Sequence, residues 1–205
     1  MRRSKPYHHG HLRDALLEAA IQLIAEVGPA GFTLREVARR AGVSHNAPYR
    51  HFPEQKDLLA AVAAEGFRKL NQAMLDAVKQ HRSSVVRLKR AGLAYVEFAL
   101  GRPEHFTVMF DAPVASKQDD PGDAGAAEQA FATLQSLVKN CQEEGRLPAG
   151  DTHQFALLAW SMVHGIAKLA TAGRLPYEST AAMLKFAGFV IDQSLPVCPG
   201  RSGAR

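Results

Sequence analysis

Thr33-Leu-Arg-Glu-Val-Ala-Arg-Arg-Ala-Gly-Val-Ser-His-Asn-Ala-Pro-Tyr-Arg-His-Phe52 is the stretch from which the rest of this chain is read. Thr33 is a good helix N-cap, and Glu36 three residues later completes a capping-box pattern: hydroxyl to one orphan N–H, carboxylate back to another. Leu34, Val37, Ala38 and Ala41 recur at helical spacing, with Arg35, Arg39 and Arg40 on the other side. Gly42 stands where helices end on a left-handed residue. Val43 suits the corner after it, and Ser44 suits the cap of a second helix. That helix is expected from about His45 to Phe52, with Ser44, His45, Asn46, Tyr49, Arg50 and His51 outward and Phe52 beneath. Pro48 stands apart: it lacks an N–H and disfavours a helical Ala47, so the expected helix is short and stiff. Two short helices joined by such a turn are the layout of a helix-turn-helix, whose second helix enters the major groove of DNA. Taken alone, the turn also fits a bundle hairpin that touches no nucleic acid.

Gly31-Phe32-Thr33-Leu34, Glu36-Val37-Ala38, Ala41-Gly42-Val43-Ser44 and Tyr49-Arg50-His51-Phe52, followed by Lys56-Asp57-Leu58-Leu59, resemble the DNA-binding domain of TetR/AcrR-type transcriptional regulators in order and spacing. The resemblance covers residues 8–70. Residue chemistry and resemblance together nominate Thr33, Arg35, Ser44, His45, Asn46, Pro48, Tyr49, Arg50 and His51 for DNA, through phosphates and base edges. Lys56 lies in the first turn of the next helix, at the wrong end of the helix dipole. The resemblance implies a phosphate contact there; a surface accident is the alternative. Pro48 replaces the usual aliphatic residue of the family, and His45-Asn46 its common Lys-Gly, so no operator sequence transfers.

The composition agrees with an anionic polymer as partner. The 205 residues carry a formal charge of +5, with 46% hydrophobic and 22% charged residues, ordinary proportions for a globular protein. Residues 1–57 hold nine Lys/Arg against six Asp/Glu, so over half of the net charge lies in about a quarter of the chain. Cys141 and Cys198 are far apart without metal spacing and read as free thiols of a reducing, cytoplasmic compartment. The N-terminal arginines precede no apolar h-region. No apolar run approaches the ~20 residues that span a bilayer, so no membrane partner is expected.

Along the chain the pattern is helical throughout, and the expected fold is all-α. Met1–Pro6 is a basic arm, either a flexible tail or a groove-tracking segment. His8, His9 and His11 suggest a metal site, yet no carboxylate or cysteine completes one, and Tyr7-His-His-Gly-His-Leu-Arg13 resembles the start of one branch of the family. A helix over 11–27 buries Leu12, Leu16, Ala19, Leu23 and Val27. Gly28-Pro-Ala-Gly31 ends it. Further helices are expected from Glu54 towards Gln80, over 84–100, 105–111 and 128–144, and near 151–173 and 177–195. A breaker-rich loop fills 112–127, and 1–7 and 196–205 form tails. The reader domain at 8–70 is thus succeeded by a larger helical domain at 71–195.

The helix near 151–173 is apolar on two sides, with Phe155, Leu158, Met162 and Ile166 on one and Leu157 and Trp160 on another, and so needs cover from its own domain and from elsewhere. The resemblance implies that the last two helices pair with a second copy in a four-helix homodimer interface, setting two readers about one DNA turn apart. Trp160-Ser-Met-Val-His164-Gly165 resembles the signature of a subgroup whose C-terminal domain is named for a Trp/His/Gly pattern. Trp160 and His164 read either as packed core or as a pocket wall with Tyr95, Phe98, Phe106, Met109 and Phe110, suited to a small apolar or aromatic effector. No catalytic, metal or cofactor pattern is present, so the histidines, His164 included, have no identifiable partner for enzymatic work. The expected function is a homodimeric, DNA-operator-binding repressor released by an effector; the alternatives are a DNA-binding regulator without one and, against the missing carboxylate partner, a helical enzyme using His164.

Overall fold

The computed structural model describes residues 9–112, 125–196 and 198. The basic arm at Met1–Pro6, His8, nearly all of the 112–127 loop and most of the last ten residues lie outside the described residues, as do the side chains of His9 and His11. Eight α-helices and no strand are found among the described residues: α1 His9–Val27, α2 Leu34–Arg40, α3 Gln55–Val78, α4 Ser84–Gly101, α5 Pro103–Asp111, α6 Ala126–Glu143, α7 Thr152–Thr171 and α8 Thr180–Ser194. The fold is all-α, as the periodicity requires. Among the described residues, no helix is long and apolar enough to cross a membrane.

Two compact units are present. One holds the described residues up to Gly66 and α5 from Glu104; the other holds Phe67–Pro103 and the residues from Gly125 onward. In the first, α1 packs on α2. Leu12, Leu16, Ala19 and Leu23 of α1 are buried, with Phe32, Leu34, Val37 and Leu58. Val27, expected in the same stripe, is instead 53% exposed. It is the last residue of α1, where the chain turns through Gly28 and the helical face no longer has an opposite surface. A bidentate pair from Arg40 to Glu26, at 2.5 and 2.6 Å, ties the end of α2 to α1. That guanidinium holds the Glu26 carboxyl below its ordinary range.

In the second unit α4 is the common partner, packed against α6, α7 and α8. Its buried residues Leu88, Ala91, Ala94, Tyr95, Val96, Phe98 and Ala99 run round most of its circumference, as a helix with neighbours on several sides requires. Cys141 is buried on α6 and Cys198 is partly exposed, both as free thiols, and burial pushes the Cys141 thiol up.

Within the first unit, α5 rests on α3 at Gly66. A Cβ built there falls 2.6 Å from Met109 Sδ and 3.4 Å from His105 Cβ. Gly66→Ala is therefore expected to overpack against Met109 at a cost of about 1–3 kcal/mol, of which about 1 kcal/mol is offset by the helix propensity gained over glycine. Met109→Ala in the same chain should recover part of the loss, a coupling measurable by urea denaturation of the two single variants and the double variant.

Candidate nucleic-acid interface and helical crevice

The turn at the end of α2 is closed by backbone hydrogen bonds alone. The Val43 N–H donates to Ala38 O at 3.0 Å and the Gly42 N–H to Arg39 O at 3.3 Å. These are the two bonds of a Schellman ending, and Gly42 takes the left-handed conformation it needs, at φ +69. At the other end of α2, the Thr33 N–H donates to Glu36 Oε2 at 2.7 Å while the Glu36 N–H donates to Thr33 Oγ1 at 3.3 Å. The capping box anticipated from Thr33 and Glu36 is present in full. Both ends of α2 are thereby specified locally.

Beyond Gly42 the chain departs from the expected helix over 45–52. The Ala47 N–H donates to Ser44 O at 2.9 Å, and residues Pro48–Arg50 form a single 3-10 turn. Pro48 is the reason: without an N–H it cannot donate the i→i−4 bond to Ser44 O, which Ala47 takes at shorter spacing instead. Ala47 nevertheless keeps a right-handed helical backbone, φ −61 and ψ −42, contrary to the usual preference before proline. A bond from the Phe52 N–H to Pro48 O at 2.8 Å closes the segment. Pro48 itself, nominated among the DNA-contacting residues, is instead fully buried.

The other nominated side chains of this stretch are exposed: Thr33, Arg35, Ser44, His45, Asn46, Tyr49, Arg50 and His51. Thr33 is largely occupied by the cap, since its hydroxyl also donates to Glu36 Oε2 at 2.9 Å. Phe52 is buried as expected, with the Arg13 guanidinium 5.8 Å above its ring. Arg39, not nominated, is also exposed, on the polar side of α2 where the helical spacing puts it. Lys56 is exposed and pairs with Glu54 at 3.0 Å, a hydrogen bond that raises the ammonium above the ordinary lysine range. That neighbour also offsets the unfavourable dipole end.

In the second unit, the Trp160 indole N–H donates to the Tyr95 hydroxyl at 3.2 Å, and that hydroxyl lies 2.8 Å from His164 Nδ1. An indole only donates, so the phenol accepts from Trp160, while the direction of its bond with Nδ1 follows the imidazole tautomer. The indole and imidazole rings are 5.6 Å apart, and Phe131 packs edge-on to Trp160 at 6.1 Å. Burial pushes the Tyr95 phenol well above its ordinary value, against the smaller opposing effect of the Trp160 N–H. Beside this network lies a crevice of about 30 Å³ among α3, α4, α6, α7 and α8. Tyr95 and Trp160 line it together with Met74, Leu88, Leu134, Met162 and Ile191.

Comparison with known proteins then places the chain. A family profile described as "Bacterial regulatory proteins, tetR family" matches residues 16–62, and one described as "Tetracyclin repressor-like, C-terminal domain" matches residues 88–187. A Rhodococcus sp. RHA1 protein of unknown function is 34% identical, with a TM-score of 0.77 over 94% of this chain and 99% of its own. The chain belongs to the TetR family. An HTH-type transcriptional repressor of Mycobacterium tuberculosis is 39% identical over 61 residues, 30% of this chain and 32% of that protein. The chain thus spans about a third of the length of the curated relatives it matches. FadR of Bacillus subtilis, solved with stearoyl-CoA, shares the fold at 14% identity, with a TM-score of 0.74 over 89% of this chain and 97% of its own.

For this TetR-family chain, the seven residues nominated for a pocket are distributed over both units. Tyr95, Phe98, Trp160 and His164 belong to the second unit, while Phe106, Met109 and Phe110 belong to the first. There Phe106 and Met109 are buried, and the Phe106 and Phe110 rings sit 5.0 Å apart. Phe98 lies instead in a broad groove between α3 and α4 with Lys69, Glu97 and Arg102. Met74, Leu88, Leu134 and Met162 escape sequence reasoning as crevice residues because, at helical spacing, a wall and a core look alike. Tyr95→Phe is expected to cost about 1–3 kcal/mol, because Trp160 and His164 both lose a buried hydrogen-bond partner. The raised phenol also predicts a pH effect. The unfolded tyrosine ionises near its ordinary value of about 10 while the folded one keeps its proton, so stability falls as pH rises past that value. Ultraviolet titration of tyrosinate in the folded chain should find one of the four tyrosines ionising only on alkaline unfolding, and Tyr95→Phe should remove it.

Proposed function

We propose that this chain is a sequence-specific DNA-binding transcriptional regulator, acting in the cytoplasm as a homodimeric repressor that leaves its operator when a small apolar or aromatic effector binds. The carrying observation is the exposed run Ser44, His45, Asn46, Tyr49, Arg50 and His51, held on a closed turn above the buried Pro48 and Phe52. These side chains supply donors and acceptors for phosphates and base edges, and Arg50 the charge. Thr33, Arg35 and Lys56 extend the same contact to phosphates. Lys56 gives up only an exposed pair with Glu54 to do so, a small loss. In this reading residues 8–70 are the reader, 71–195 the regulatory and dimerisation domain, and the chain works by binding rather than by catalysis.

Exposed apolar side chains on the last two helices support pairing of two copies: Leu158 and Leu169 of α7 are each 49% exposed and Phe189 of α8 is 61% exposed. Burying them against their two-fold mates removes an apolar surface that a monomer would leave in water. Two readers then face half-sites of a near-palindrome about one DNA turn apart. An effector that binds better to a conformation with badly spaced readers shifts the population off the operator. The name of the Mycobacterium tuberculosis relative, a repressor, and the stearoyl-CoA bound to the Bacillus subtilis neighbour support repression and ligand binding in such folds. The small volume of the crevice favours one other reading, a DNA-binding regulator whose second domain serves dimerisation alone.

Electrophoretic shift on the DNA upstream of the chain's own coding sequence tests the proposal. A specific complex is expected at modest salt, weakening with a log–log slope of about −0.9 per phosphate contacted. Arg50→Ala should weaken it without changing the dimer. Intact dimers that bind this DNA no better than random DNA would overturn the reading. Leu158→Glu with Phe189→Glu should give monomers by light scattering and lose the operator complex together with the dimer.

A further inference from the structure

The crevice beside Tyr95 and Trp160 has a chemistry that narrows what it can take. Its walls come from five helices, and among the described residues no lysine, arginine, aspartate or glutamate lines it. Its two polar side chains are already engaged with each other, because the Tyr95 hydroxyl accepts from Trp160 and faces His164 Nδ1. A carboxylate or phosphate brought here would lose its hydration and meet no compensating cation among the described lining residues, a cost that outweighs the burial of a short chain. At about 30 Å³ the space is also small. Apolar cavities that bind benzene or xenon measure about 150 Å³. The walls that can yield are Met74 and Met162, unbranched and adaptable, and the half-buried Trp160.

We propose that this crevice, bounded by Met74, Leu134, Tyr95, Trp160 and Met162, opens to bind a small uncharged apolar molecule of the size of a monocyclic aromatic. It does not take a fatty carboxylate or an acyl-CoA. The inference rests on the reading of the second domain as an effector domain, and it adds the place and the charge class of the ligand. It also sets this chain apart from the neighbour solved with stearoyl-CoA. The Tyr95–His164 bond holds the phenol back from the ligand, so recognition is by shape and apolar contact rather than by a polar anchor.

Trp160 is the single tryptophan of the chain, so its emission reports on this crevice directly. The full chain is titrated with toluene and, in parallel, with octanoate and octanoyl-CoA. Toluene is expected to change Trp160 emission saturably. Leu134→Ala and Met162→Ala, which enlarge the crevice, are each expected to tighten toluene binding several-fold if folded by circular dichroism. Octanoate or octanoyl-CoA acting on Trp160 as strongly as toluene would overturn the proposal. So would the absence of a saturable toluene response in the wild type and in both enlarged variants. Operator binding is measured separately. Toluene bound without operator release upholds the site and removes the effector-release mechanism. Release by an apolar molecule that leaves Trp160 emission unchanged upholds that mechanism and removes this site.

Discussion

A tyrosine hydroxyl buried among helices has to be hydrogen-bonded, and much of the second unit is set by how that need is met. Tyr95 lies on α4, the helix against which α6, α7 and α8 all pack. Its phenol is served by Trp160 and His164, one turn apart on α7. The pair fixes the rotation of α7 about its own axis, because one face of that helix carries both Trp160 and His164. With that face turned to α4, Leu158 and Leu169 are left outside. The excess apolar surface of α7 and the internal network are therefore two sides of one packing decision.

The first unit depends on a different constraint, the satisfaction of backbone groups where α2 ends. Gly42 in the left-handed conformation lets Gly42 and Val43 return their N–H groups to Arg39 and Ala38. The chain then leaves α2 in one direction only. Pro48 imposes a second restriction a few residues on: the reading segment cannot be a regular α-helix through that point, and it is held as a 3-10 turn with its proline ring in the core. A proline in place of a flexible aliphatic residue makes the segment stiffer before any DNA is met. The ordering that a reading element would otherwise undergo on binding is partly complete in advance.

Several features are legible from residues alone because their causes are local. The capping box needs only Thr33 and Glu36 three apart, and the ending of α2 needs only Gly42 after an apolar stripe. The helices come from periodicity, with boundaries displaced by one to three residues, most at the start of α8, where caps can shift an end without changing the buried face. Pro48 stands out in the sequence as an oddity of a short helix, yet its burial does not show there. Sequence spacing suits an outward or an inward proline equally, and the choice depends on what lies beneath. Val27 is misplaced for the same reason, as a stripe says which residues share a face but not how far the opposing surface extends.

The sequence by itself determined that the chain is all-α, that it carries a reader-like turn at residues 33–52, and that its later helices hold more apolar surface than one face can cover. These arise from interactions spanning three to five residues, which linear order specifies. The tertiary structure decided which aromatics meet. It joined Tyr95 to Trp160 and His164, and Phe106 to Phe110, though all recur at the same helical spacing. It also made Met74 and Leu134 neighbours of the Trp160 crevice. Such meetings rest on contacts between residues dozens of positions apart, where a hydrophobic side chain has no preference among apolar partners and only the packing of whole helices selects one.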